Sequence, residues 1–209
     1  MAIKHLLLLL LWTFGRTAFC QCPDFENVED QATYLTKLRK EYPTASDTRK
    51  LSIESEFFCA FPNSFADMER LFGFDMNTGV AAPLYEFPAG METILFFSNL
   101  KSIDPSEYYD KYIDINIGGY WQADNIGGAF ALGKRFRDDP AQFCKQLAKR
   151  TDDELLSVFR FMYDSPHPDK AKEAFAEFHS KLSSKDKRLG ELLQTAYAKV
   201  LADHDSHGK

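Results

Sequence analysis

The 209-residue chain lacks the residue spacings that most enzyme and metal motifs require. It has no H-E-x-x-H pair of histidines and no closely paired cysteines at the spacing of a zinc site. It also has no G-x-S-x-G elbow for a serine nucleophile. Only four cysteines occur, Cys20, Cys22, Cys59 and Cys144, too few for a disulfide-built scaffold. Basic residues are outnumbered, 25 against 31 acidic. Phosphate neutralisation needs a basic surface, so nucleic acid is excluded as a partner. Beyond the N-terminus no apolar run approaches the about 20 residues of a membrane-spanning helix, so no integral membrane segment is expected in the mature chain.

Two further chemistries are only partly represented. Gly128 to Lys134, GAFALGK, satisfies the G-x-x-x-x-G-K part of a phosphate loop, but Arg135 replaces the magnesium-binding Ser or Thr and no strand precedes it. No cofactor is therefore expected. The glycines at 127, 128 and 133 fit a glycine-interrupted helix over 122–136 that packs closely on its neighbours. Asp203, His204, Asp205 and His207 lie in a segment read as a mobile tail from about residue 203, so no metal site is assigned there. Cys144 with His167 or His179 could form a nucleophile and base only if the fold joined them. Carboxylate pairs such as Asp110 with Asp114 carry no catalytic information among 31 acidic residues; they serve as solvated helix faces.

What is present begins with a leader. Residues 1–5 carry one lysine, Leu6 to Phe14 is a nine-residue apolar run, and Gly15 to Cys20 is mostly small or neutral. That layout predicts a signal peptide over residues 1–20 and export to a periplasmic or extracellular space. A lipid anchor fits badly, since Phe19 before Cys20 and Gln21 before Cys22 are not small. Removing Lys4 and Arg16 with the leader leaves 23 basic against 31 acidic residues, a net charge of −8. Cys22, Cys59 and Cys144 then remain, enough for one disulfide and one thiol, with the pairing left open.

The remaining chain, 21–209, reads as one all-α domain of about eight or nine helices, with stacked helical hairpins as one arrangement. The 19 phenylalanines supply its core, and Phe57, Phe58, Phe61, Phe65, Phe72 and Phe74 crowd one region of it. Helices are predicted at about 27–41, from Ser46 or Asp47 to Phe61, and from Ser64 to Phe72, where Gly73 closes the turn. Residues 75–90 are broken by Asn77, Gly79, Pro83, Pro88 and Gly90 and read as a long loop, with a short extended piece at Leu84 to Phe87. Met91 to Leu100 is compatible with helix or strand, and helix is preferred. Asp104 before Pro105 opens a helix that Gly118 and Gly119 end, although Ile113, Ile115 and Ile117 alternate as in a strand.

Asp139 before Pro140 opens another helix, carrying Phe143 and Leu147. The clearest start is Thr151 with Glu154, a capping box. The helix it opens spreads Leu155, Leu156, Val158, Phe159, Phe161, Met162 and Tyr163 over most of its circumference, leaving Ser157, Arg160 and Asp164 as a polar stripe before Pro166 and Pro168 end it. It is predicted to be the core helix. Ala171 to Leu182 and Leu189 to Leu201 complete the set as one-sided helices.

Recognition candidates are few. Tyr120, Trp121, Gln122, Asp124 and Asn125 follow the glycine break and place aromatic and amide groups at a loop, although a staple between two helices is the preferred role for Trp121. His167 is presented by the turn after the core helix. The expected function is an exported, soluble, non-enzymatic protein that binds a protein or glycan partner, with inhibitor or immunity-type action as one form. The alternative is a secreted hydrolase assembled from scattered residues around the 75–90 loop and Tyr120 to Asn125. The oligomeric state is left open.

Overall fold

A computed structural model describes residues 22–86, 88–121, 139–165 and 167–207. Within them nine α-helices and one two-stranded hairpin form a single helical domain. Helices α1 (Val28–Glu41), α2 (Asp47–Ala60) and α3 (Phe65–Phe72) start at Asn27, Ser46 and Ser64, whose side chains each accept a backbone N–H of the first turn. A 3₁₀ turn at Tyr42–Thr44 joins the first two. Then come strands β1 (Phe74–Asp75) and β2 (Val80–Ala81), and helices α4 (Ala89–Ser98) and α5 (Pro105–Asn116). Helices α6 (Pro140–Leu147), α7 (Asp152–Tyr163), α8 (Lys172–Lys185) and α9 (Lys187–His207) complete the described chain. The predicted glycine-interrupted helix at 122–136, the leader at 1–20 and Pro166 lie outside the described residues.

Two ambiguous segments resolve as helix. α4 covers most of the 91–100 run. α5 buries Tyr108, Tyr109, Tyr112, Ile113, Ile115 and Asn116, an arc so wide that alternating isoleucines fit it. Neighbours on several sides, α3, α6 and α7, make that arc necessary.

Two expectations change. The extended structure is the antiparallel pair Phe74↔Ala81 and Asp75↔Val80, while Leu84 sits in a turn and Phe87 lies outside the described residues. Strands of two residues leave no alternation to read, and the polar turn Asp75 to Gly79 was the available signal. Helix α9 continues through His207, so residues 203–207, read as a tail, are helical.

The phenylalanine cluster is core. Phe61 stacks on Phe97 with ring centroids 4.1 Å apart, and Phe97 stacks on Tyr108 at 5.2 Å. Each fully buried ring contributes about 1.5–3 kcal/mol. Phe58 is partly buried against this core, and Phe74 is half-buried at the surface. A second centre forms around α7, which begins with the predicted capping box: Thr151 Oγ1 accepts Glu154 N at 3.3 Å, and Glu154 Oε2 accepts Thr151 N at 2.8 Å. α7 buries Leu155, Val158, Phe159, Phe161 and Tyr163 and packs chiefly on α9. Tyr163, Phe175 and Tyr197 meet there, and the Tyr197 hydroxyl donates to Pro168 O at 3.1 Å, tying down the turn after α7.

The disulfide joins Cys22 to Cys59 and ties the first described residues to the end of α2. Closing a loop of this size stabilises by roughly 3–4 kcal/mol in the chain-entropy account. Cys144 is a buried free thiol, pushed up to about 11 by burial and by the nearby Asp186 charge.

Candidate functional site

An open groove of about 730 Å³ lies between α3, the hairpin and the Tyr120–Trp121 segment. Such a volume is in the range of binding clefts. Its floor is the exposed side of α3, Ala66, Glu69 and Arg70. The opposite side of that helix buries Phe65, Met68, Leu71 and Phe72, so the amphipathic pattern alone fixes which side faces the groove.

The first wall is the hairpin. Gly73 ends α3, and Asp75 builds the turn. One carboxylate oxygen accepts Asn77 N at 2.8 Å and the other accepts the Thr78 hydroxyl at 2.7 Å. These bonds, the Thr78 hydroxyl foremost, hold the Asp75 carboxyl below the usual range. Gly79 takes φ +70°, which a side chain rarely adopts. Ala82 N donates to Gly73 O at 2.9 Å and Leu84 N to Leu71 O at 2.8 Å, stitching the returning strand to the end of α3. Met76 at the tip is 85% exposed.

The second wall is anchored to α7. Gly118, with φ +76°, donates its N–H to Ser157 Oγ at 2.7 Å. Gly119 lies against the ring of Phe161, so close that a Cβ there would come within 2.3 Å of it. Trp121 N donates to Asp164 Oδ2 at 3.0 Å. The Tyr120 hydroxyl donates to Glu69 on the floor, and its ring lies 5.1 Å from that of Phe65.

Of the recognition candidates, Tyr120 and Trp121 line this groove. Gln122, Asp124 and Asn125 lie outside the described residues. His167 is exposed on the turn after α7, where its carbonyl accepts Lys170 N at 3.1 Å, and it is not among the residues lining the groove. The structure does bring the 75–90 loop to Tyr120 and Trp121, through Asp75, Met76, Asn77 and Tyr85. Sequence reasoning missed Glu69, Arg70 and Phe74. Their signal was weak: Glu69 and Arg70 look like ordinary solvated helix residues, and Phe74 looks like one more member of the core cluster.

The described residues lining the groove include no histidine, cysteine or serine. Its two carboxylates are engaged, Glu69 by Tyr120 and Asp75 by the turn, and Arg70 pairs with Asp67. No group of three or more His, Cys, Asp or Glu among the described residues is placed to hold a metal ion, and no described helix is long and apolar enough to cross a membrane. No family model, curated protein or solved structure matches the chain.

Proposed function

We propose that the chain is an exported binding protein that takes a protein segment into the groove between the hairpin and Tyr120–Trp121. The observation that carries this reading is the exposure of large apolar side chains on walls built by hydrogen bonds: Met76 at 85%, Tyr120 at 44% and Trp121 at 36%. A surface held rigid with its apolar side chains in water loses little entropy on binding and gains by covering them. Aromatic residues with a polar edge are the usual energetic anchors of such contacts. Export is supported by the leader-like N-terminus and by the Cys22–Cys59 disulfide, which belongs in an oxidising compartment. Inhibitor or immunity-type action is the form this binding takes where the partner is an enzyme. The hydrolase alternative draws no nucleophile and base pair from the described groove.

A peptide library displayed against the full chain tests the reading. Selected peptides should lose at least about tenfold in affinity with Trp121→Ala or Met76→Asp, the size expected of an interface anchor. Peptides that bind wild type and both variants equally would place binding elsewhere and defeat the proposal.

A further inference from the structure

A second cleft, of about 520 Å³, opens between the N-terminal segment tied by Cys22–Cys59, the end of α2 and the outer face of α5. Lys111 of α5 lines it. Its amine donates to Phe58 O and lies 4.8 Å from the centre of the Phe58 ring. Among the described residues no carboxylate forms an ion pair with it; Asp67 of α3 acts only as a more distant charge.

Arg150 takes Asp110 at 2.8 Å and Asp114 at 3.0 Å, the two carboxylates that flank Lys111 on the same helix. A lysine drawn out of water without an ion-pair partner loses its preference for the charged form. Burial accordingly pushes the amine down to about 7, against the raising effect of Asp67. Glu107, one turn earlier on α5, lines the same cleft and makes no ion pair among the described residues.

We propose that Lys111 is a covalent capture site for a small neutral aldehyde, which it binds as a reversible imine inside this cleft. The amine lone pair attacks the carbonyl carbon, and the carbonyl oxygen takes up a proton as the nitrogen gives one up. The resulting carbinolamine expels its hydroxyl, protonated, as water and leaves a carbon–nitrogen double bond. Water carries the proton between nitrogen and oxygen. No electrons are gained or lost overall. The cleft also holds Asp24 and Glu107, neither in an ion pair among the described residues, so an aldehyde bearing a carboxylate or phosphate would be repelled, whereas Phe25, Phe58 and Phe61 offer apolar surface to an uncharged one.

The test uses the unaltered full chain, so no variant has to fold. The chain is incubated with propanal or with glyoxylate, the imine is trapped with cyanoborohydride, and modified lysines are mapped by peptide mass spectrometry. A lysine near pKa 7 is neutral about a thousandfold more often at pH 7 than an ordinary one, so even with reduced access Lys111 should label with propanal at least about tenfold faster than the exposed Lys187. Its labelling should rise through about pH 7. Glyoxylate should show no such preference for Lys111. Labelling of Lys111 no faster than Lys187 would overturn the capture site, and equal preference with both aldehydes would overturn its restriction to neutral ones.

Discussion

Replacing Gly119 by alanine puts a methyl group into the ring of Phe161. The added carbon would lie 2.3 Å from Cδ1 and 2.7 Å from both Cγ and Cε1. Ordinary carbon contacts are about 3.5–4.0 Å, so the ring must retreat by about 1 Å. It has nowhere to go. Phe161 is wholly buried, and Phe65 packs edge-on against it with centroids 5.2 Å apart. Overpacking of this kind costs about 1–3 kcal/mol. The loss of unfolded-chain freedom on Gly→Ala returns about 0.4–1 kcal/mol, so a net destabilisation of about 1–2 kcal/mol is expected. Urea unfolding followed by far-UV circular dichroism measures it. Phe161→Leu, a smaller side chain, should cost stability by itself yet rescue Gly119→Ala, giving a coupling of about 1 kcal/mol or more. Gly118 is the control. A Cβ there meets nothing within 4 Å, but φ is +76°, so Gly118→Ala should cost about 1–2 kcal/mol through the backbone alone and show no coupling to Phe161→Leu. Strict additivity of Gly119→Ala with Phe161→Leu would refute the close-contact account of this wall.

Two further outcomes test the rest of the fold. Glu54 is a buried carboxylate that accepts the Tyr42 hydroxyl and the Lys101 and Ser102 amides, each at 2.7 Å. Burial pushes its pKa up, but the Ser102 amide, the Tyr42 hydroxyl and the Lys101 amide together pull it below the ordinary 4.5. A depressed native pKa means a contribution that is complete above 4.5 and is lost as pH falls through the native value. Glu54→Gln should therefore cost about 2–3 kcal/mol at pH 7. The gap in melting temperature from wild type should close as pH falls below 4.5, and a gap that stays constant would contradict the assignment. Gly190→Ala, where α9 crosses α8, would bring a Cβ within 2.0 Å of Ser183 Oγ and 3.0 Å of Ser183 Cα. It should lower stability by about 1–3 kcal/mol, and adding Ser183→Ala should restore only part because the Ser183 backbone is itself close; full restoration in denaturant melts would show that only the hydroxyl matters.

The helix starts were legible because caps are local. Ser46, Ser64, Asp104, Asp139 and Thr151 each satisfy donors two or three residues away, so the signal and the structure share one short stretch of chain. The hairpin was not legible, since two paired residues per strand establish no period. Nor was the disulfide. Three cysteines admit three pairings, and the choice of Cys22 with Cys59 depends on where α2 ends relative to the N-terminal segment. Lys111 reads in sequence as one more charge on a solvated helix. Its setting in the fold depends on distant parts of the chain: its amine is held by Phe58 O, and Arg150, 39 positions later, engages both flanking carboxylates.

The core helix α7 has a second duty that its apolar pattern conceals. Ser157, Phe161 and Asp164 follow one another at spacings of four and three, which places them in one stripe along the helix. Each holds a successive point of the chain that forms the groove wall: Ser157 the Gly118 amide, Phe161 the Gly119 backbone, Asp164 the Trp121 amide. Ser157 and Asp164 are two of the three residues that a helical-wheel reading assigns to solvent. They accept backbone donors that a loop could otherwise satisfy only with water. The segment 118–121 therefore lies along α7, which ends at Tyr163, and its direction is set by a helix whose other faces are fixed by Phe159 and Leu155 in the core. The aromatic wall inherits its rigidity from that packing. Losing Ser157 or Asp164 should accordingly loosen Tyr120 and Trp121 while leaving the core intact, whereas losing Phe161 should disturb both.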